Sequence, residues 1–198
     1  QLTDIGFAEI FFGSYPIIVE GDTEHAAFIS VITKEKHEMS GKVSIVRARG
    51  KAVLVPLIKM LNHFKADFGI VHDIDWPYRR DGSNNGSWTL NTIIRNEIIK
   101  CRNNGKKVYH RWSAPDFERF LGGEELGKDK PYTAFNRISR DEKLKEKIQN
   151  LIINLFEGEC YDPDDFEPDD DFNAQLMEQL KIWAKNNGES DNVRVMGC

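Results

Sequence analysis

Apolar positions along the chain fall into two alternating rhythms. Short apolar runs recur at residues 15–20 (YPIIVE), a β-branched run that stops at a charge, at 42–48, at 67–73 with Gly69, Ile70 and Val71 at the centre, and at 107–112. Runs of this kind predict buried strands. Between them, apolar residues recur three and four apart, which predicts helices. The first runs from a cap at Asp22 or Thr23 to about residue 34, and the second, at 52–64, carries Val53, Leu54, Leu57, Ile58 and Leu61. Further helices are expected at 90–101, 117–121, 139–156 and 173–185, with a short apolar, aromatic one at 5–12. Glycine and polar residues mark the breaks, at Gly21, at Gly50 and through a loop at 77–87 rich in Gly, Asn and Arg. Strands alternating with helices predict an α/β fold: a parallel sheet of about four strands flanked by helices, with a helical C-terminal extension.

Charge sharpens this picture. The 198 residues carry 27 basic and 32 acidic side chains, a net charge of −5. Nine of those carboxylates lie in residues 157–171, which contain no lysine or arginine, and the remainder carries 27 basic against 23 acidic groups, or +4. Net acidity therefore does not exclude a nucleic-acid partner. No run approaches the roughly 18 apolar residues of a membrane span, and there is no signal-peptide pattern. Cys101, Cys160 and Cys198 are odd in number and match no zinc spacing, which points to a reducing cytoplasm. The chain begins at Gln1, as expected of a segment cut from something longer.

Candidate chemistry gathers at predicted strand ends, where parallel α/β sheets collect functional groups. Glu20 closes the first strand and Asp73 and Asp75 close the third, on one side of it by the alternation of side chains. Glu24 lies one helical turn beyond Glu20. Each acid alone reads as a solvated strand end or a helix cap. Four that converge repel one another unless cations lie between them, and all-oxygen clusters suit Mg²⁺ or Mn²⁺ rather than zinc.

The same residues carry a family resemblance. VEGDTE at 19–24, DID at 73–75 and the intervening Gly50 resemble the Toprim domain of topoisomerases, primases and related nucleases. With EIFFG at 9–13 and IIVEGDTE at 17–24, the chain more closely resembles the junction at which the ATPase domain of OLD-family (overcoming lysogenization defect) nucleases enters its Toprim domain. The likeness is specific over 7–75 and looser to about 135. It implies a junction at 1–14 from a missing N-terminal ATPase domain, a catalytic domain at 15–135, and a helical extension at 136–198 with an acidic linker at 157–171. It implies a metal-dependent DNA endonuclease or nickase using two divalent cations, Glu20 and Glu24 holding one, Asp75 the other and Asp73 bridging them. The family adds a later acid, matched by Glu118 in DFER at 116–119 with Ser113 as a weaker candidate, and a lysine, matched by Lys130 in KDKP at 128–131 with Lys128 close behind. Partners implied are DNA, the ATPase domain and, as in relatives that act in phage defence, a helicase-like protein; a homodimer mate is a separate expectation from the apolar last helix.

Arg79 and Arg80, with Trp76, Tyr78 and Trp88 interleaved, suit phosphate contacts and base stacking, and Arg49 and Lys51 flank Gly50. Other signals fail. The glycine-rich stretch at 122–128 has the spacing of a phosphate loop, but Asp129 stands where Ser or Thr should be, so no ATP site is expected. The acidic run lacks the glycine and terminal glutamate of a calcium loop, and His72 reads as packed on the opposite side of its strand from Asp73. The alternatives are another Toprim enzyme (topoisomerase, primase or RNA maturase) or a non-catalytic DNA-binding scaffold. The last helix, with Leu176, Leu180, Ile182 and Trp183, reads as docked on its own core ahead of a dimer surface.

Overall fold

A computed structural model describes residues 15–34, 39–122, 129–158 and 172–197. The expected helix at 5–12, the glycine-rich stretch from Gly123, Lys128 and the acidic residues from Glu159 to Asp171 lie outside the described residues. Four strands, β1 (Tyr15–Val19), β2 (Val43–Arg47), β3 (Phe68–Asp73) and β4 (Val108–Ser113), form one parallel sheet in the order β2-β1-β3-β4. Helices α1 (Asp22–Lys34), α2 (Lys51–His63) and α3 (Gly86–Asn103) are the crossovers. They are followed by α4 (Phe117–Phe120), α5 (Lys130–Ile138), α6 (Glu142–Glu157), α7 (Phe172–Asn186) and α8 (Val193–Met196).

The strands are apolar on both faces because both are covered. Ile17, Val19, Ile45 and Val71 pack with Phe28 and Val31 of α1, Ala134 and Ile138 of α5 and Ile148, Ile152 and Leu155 of α6. On the opposite face Ile18, Val46 and Ile70 meet Leu54, Ile58 and Leu61 of α2 and Ile94 and Ile98 of α3. Gly69 lets α6 approach β3 closely, since a Cβ there would lie 2.5 Å from the Leu155 carbonyl oxygen. α5 runs across residue 135, and α6 is part of the cover of the sheet.

The strand order fixes where the chemistry sits. From β1 the chain crosses outward to β2 on one side, and from β3 outward to β4 on the other, so β1 and β3 are neighbours whose following segments diverge. That divergence opens a crevice at their carboxyl ends, the switch point where open α/β sheets bind ligands. A third apolar cluster closes the far end of this rim. Phe172, Leu176, Leu180 and Ala184 of α7 and Val195 of α8 pack on Ile74 and Trp76, directly after β3. The last helix is therefore docked on its own chain, while Ile182 remains exposed.

Four elements differ from expectation. α3 begins at Gly86, inside the expected loop, because the Asn85 side chain accepts from the Ser87 N–H and caps it. α6 begins at Glu142, where Asp141 accepts from the Lys143 and Leu144 N–H groups. α5 and α8 had no sequence counterpart; α5 begins Lys130-Pro131, with proline at a position that needs no N–H donor.

Candidate active site

Glu20 immediately follows β1, and its Oε2 accepts from the Asp73 backbone N–H at 3.2 Å across the crevice. Its own carbonyl accepts from the Gly50 N–H at 2.9 Å, tying the start of α2 to the end of β1. Gly50 adopts φ 121°, a region open to glycine. Glu24, in the first turn of α1, is 4% exposed. Its carboxylate folds back toward the Gly21 N–H, and a Cβ at Gly21 would lie 3.1 Å from Glu24 Oε2, so the neighbouring glycine leaves the room this needs.

Asp73 ends β3, and its Oδ1 is buried with no hydrogen-bond partner. Strand alternation does not carry on to Asp75. That residue turns with φ 64°, its N–H held by the Pro115 carbonyl at 2.8 Å, and returns its carboxylate to the cluster through the turn. Lys51, the first residue of α2, donates from Nζ to Asp75 Oδ2 at 2.6 Å and to the Asp73 carbonyl. His72 lies buried against His110, with their Nε2 atoms 2.8 Å apart. Because the Asp73 carbonyl can only accept, His72 carries its proton on Nδ1 and receives that of His110. Burial, helped by His110 and Lys51, holds His72 well below the usual imidazole range, so it is a neutral packed residue.

β4 delivers the remaining groups. Ser113 pairs with Asp73 across the β3–β4 register, and its Oγ is also buried without a partner. Asp116 caps α4, accepting from the Arg119 N–H at 3.0 Å, and this sets Glu118 within the helix, 8% exposed. Glu118 forms an ion pair with Lys130 at 3.1 Å and acts electrostatically on both Glu20 and Glu24. The later acid and lysine are thus brought to the four carboxylates from two separate helices.

Their electrostatics are unfavourable for anions. Burial pushes Glu20 up to about 7, with Asp75 and Glu118 adding to the rise and Lys51 opposing it. Burial likewise pushes Glu24 up to about 7, with Glu20 and Glu118 contributing. Asp73 is raised well above the carboxylate range by burial and then by Glu24, Glu20, Asp75 and Asp116. Among the described residues no three acidic, histidine or cysteine side chains already form a ligand shell. The donor set still fits hard divalent cations: oxygen donors alone, mutual repulsion and a buried Asp73 Oδ1 with no hydrogen-bond partner.

Residues 11–75, from before β1 through Asp75, match the model of the overcoming lysogenization defect protein-like TOPRIM domain. Over this segment the chain is similar to the OLD-like Toprim domain. No curated protein matches the chain. The match spans Glu20, Glu24, Asp73 and Asp75, whereas Glu118 and Lys130 lie beyond it.

Around the crevice the basic residues divide. Arg49, Arg79 and Arg80 are exposed. Arg79 lies in an ordered turn, its N–H donating to the Ser83 carbonyl at 2.8 Å and its carbonyl accepting from Gly82 at 3.0 Å. Lys51 is only 4% exposed and belongs to the acidic cluster, not to a surface frame. The stacking expected of Trp76 is also corrected. Its indole is 5% exposed, with Trp183 at 5.7 Å and the Arg194 and Arg119 guanidiniums at 4.9 and 5.4 Å, so no face is open to a base. Trp88 is partly buried in the same cluster. The sequence placed Lys51 among the phosphate-contacting residues, and its place inside the acidic cluster was not foreseen. The available signal was its place one residue after Gly50, at the start of the helix over the β1–β3 rim.

Proposed function

We propose that the chain is a metal-dependent endonuclease that nicks or cleaves DNA by phosphodiester hydrolysis, the catalytic portion of an OLD-type ATPase-nuclease. The observation that carries this reading is the convergence of Glu20, Glu24, Asp73, Asp75 and Glu118 over the β1–β3 switch point of an OLD-like Toprim sheet. Two divalent cations, Mg²⁺ or Mn²⁺, are the proposed cofactors, Glu20, Glu24 and Asp73 holding one and Asp73 and Asp75 the other, with Glu118 completing the set. When bound, such ions supply an activated water and stabilise the leaving oxygen of the broken bond.

The chain's own residues provide the rest. Lys130 exchanges Glu118 for a non-bridging phosphate oxygen and offsets the charge that builds there during hydrolysis. Arg49, Arg79 and Arg80 hold the DNA backbone from the rim and carry no base information, so binding is sequence-tolerant. The partners this reading implies are DNA, an N-terminal ATPase domain, a second copy of the chain and a helicase-like protein. The test is incubation of supercoiled plasmid with the chain and Mg²⁺, Mn²⁺ or Ca²⁺, beside Asp73→Ala. Nicked or linear DNA from the wild type alone is expected. A ladder of closed topoisomers would transfer the reading to a topoisomerase, and no metal-dependent product would overturn it.

A further inference from the structure

The carboxylates of the crevice are not equivalent, and Lys51 is what divides them. Its side chain is 3% exposed, although it is a lysine at the first position of a helix. A buried ammonium persists where acceptors replace its lost water, and both acceptors here belong to one turn: Asp75 Oδ2 at 2.6 Å and the Asp73 carbonyl. Neither side of the pair has slack. The Gly50 N–H fastens the start of α2 to the Glu20 carbonyl, and the Asp75 N–H is fastened to Pro115. At the opposite end Asp73 Oδ1 has no partner, and Glu20 and Glu24 press on it electrostatically. One end of the cluster is neutralised by the protein itself, and the other waits for charge from outside.

We propose that Lys51 is a built-in counter-ion standing in the second cation position, so that the first divalent ion enters at Glu20, Glu24 and Asp73 and a second reaches Asp75 only by displacing the Lys51 ammonium. This rests on the metal-dependent reading above. An ammonium and a divalent ion compete for the same carboxylate oxygen and repel each other, so Lys51 weakens the second site by direct competition at Asp75, and reaches the first only through its charge on Glu20. The free protein then holds one ion, and the negative charge of an arriving phosphate favours the second.

The test uses Mn²⁺ alone as the probe, with bound ions counted by electron paramagnetic resonance and affinities taken from calorimetry, on wild type, Lys51→Met and Lys51→Arg. Wild type is expected to bind in two steps separated by about tenfold or more, and Lys51→Met to tighten the second step by a similar factor, a size usual for coupled sites. Lys51→Arg, which keeps the charge, is expected to keep the separation. Circular dichroism establishes that each variant is folded; should Lys51→Met not fold, the wild-type isotherm and Lys51→Arg decide. Two equal sites in the wild type, or a second step unmoved in folded Lys51→Met, would overturn the role of Lys51 and leave the metal-dependent reading standing. No bound Mn²⁺ in the wild type would overturn that reading itself.

Discussion

Glu20, Glu24 and Asp73 are set where their charged forms are penalised, and that penalty is a folding cost borne at the crevice. Two carboxylates a few ångström apart repel by about 3 kcal/mol at the effective dielectric of a protein surface. Glu20→Gln keeps the shape and the acceptor for the Asp73 N–H while removing one charge. The metal-free variant is expected to gain about 1–2 kcal/mol, read as a higher melting temperature, while losing its response to Mg²⁺. The pH dependence follows with a sign opposite to that of an ordinary surface acid. Glu20 and Glu24 are pushed up to about 7 from an unfolded value near 4.5, so the folded chain binds more protons between those limits. The metal-free protein should therefore lose stability as pH rises from about 5 to 7.5, and saturating Mg²⁺ should flatten or reverse the trend. Thermal melts across that range with and without Mg²⁺ check it. The four acids were legible in the sequence because β-branched runs ending on a charge locate the carboxyl ends of parallel strands. Lys51 was not, because a lysine beside a glycine reads as solvated until the fold closes β1 and β3 around it.

At the scale of elements, what pattern could reveal was the alternation of strand and helix. It did not bring out α5, which is only nine residues long and buries just Ala134 and Ile138. The closeness of α6 to β3 was likewise hidden, since it depends on the absence of a side chain at Gly69. Gly69→Ala forces a Cβ to within 2.5 Å of backbone and should cost about 2–3 kcal/mol, seen in urea unfolding as a lowered midpoint with an unchanged slope. The turn bearing Arg79 and Arg80 makes a different prediction. Its backbone is closed by Tyr78–Asn84 pairing and by Asp81 accepting from Ser83, so replacing the two arginines leaves it intact. Arg79→Ala with Arg80→Ala should weaken DNA binding for every sequence alike and lower the slope of log affinity against log salt by about two. Fluorescence anisotropy at several salt concentrations measures both.

Over the whole molecule, the C-terminal helices act on the site from behind. α7 and α8 cover Ile74 and Trp76, the residues on either side of Asp75, and the Arg194 carbonyl accepts from the Tyr78 N–H at 3.2 Å. The turn that carries Asp75 is therefore held from the sheet side by Pro115 and from the far side by Arg194, close to the other end of the chain. Trp183→Ala opens that packing and is expected to cost about 2 kcal/mol and to weaken Mn²⁺ binding, while an equally destabilising change such as Val31→Ala on α1 leaves Mn²⁺ affinity unchanged. The docking was readable as an amphipathic last helix; its target was not, because nothing in the linear pattern says which face of which loop an apolar stripe will cover. The central claim is that the carboxylates of the β1–β3 crevice carry out phosphodiester hydrolysis with divalent metal. Its most direct test is the initial rate of plasmid nicking in Mn²⁺ for wild type against Asp73→Asn, with the melting temperature of both recorded in the absence of metal. The account predicts a loss of at least about a hundredfold in rate with equal or higher stability. An Asp73→Asn protein that nicks at the wild-type rate would contradict it.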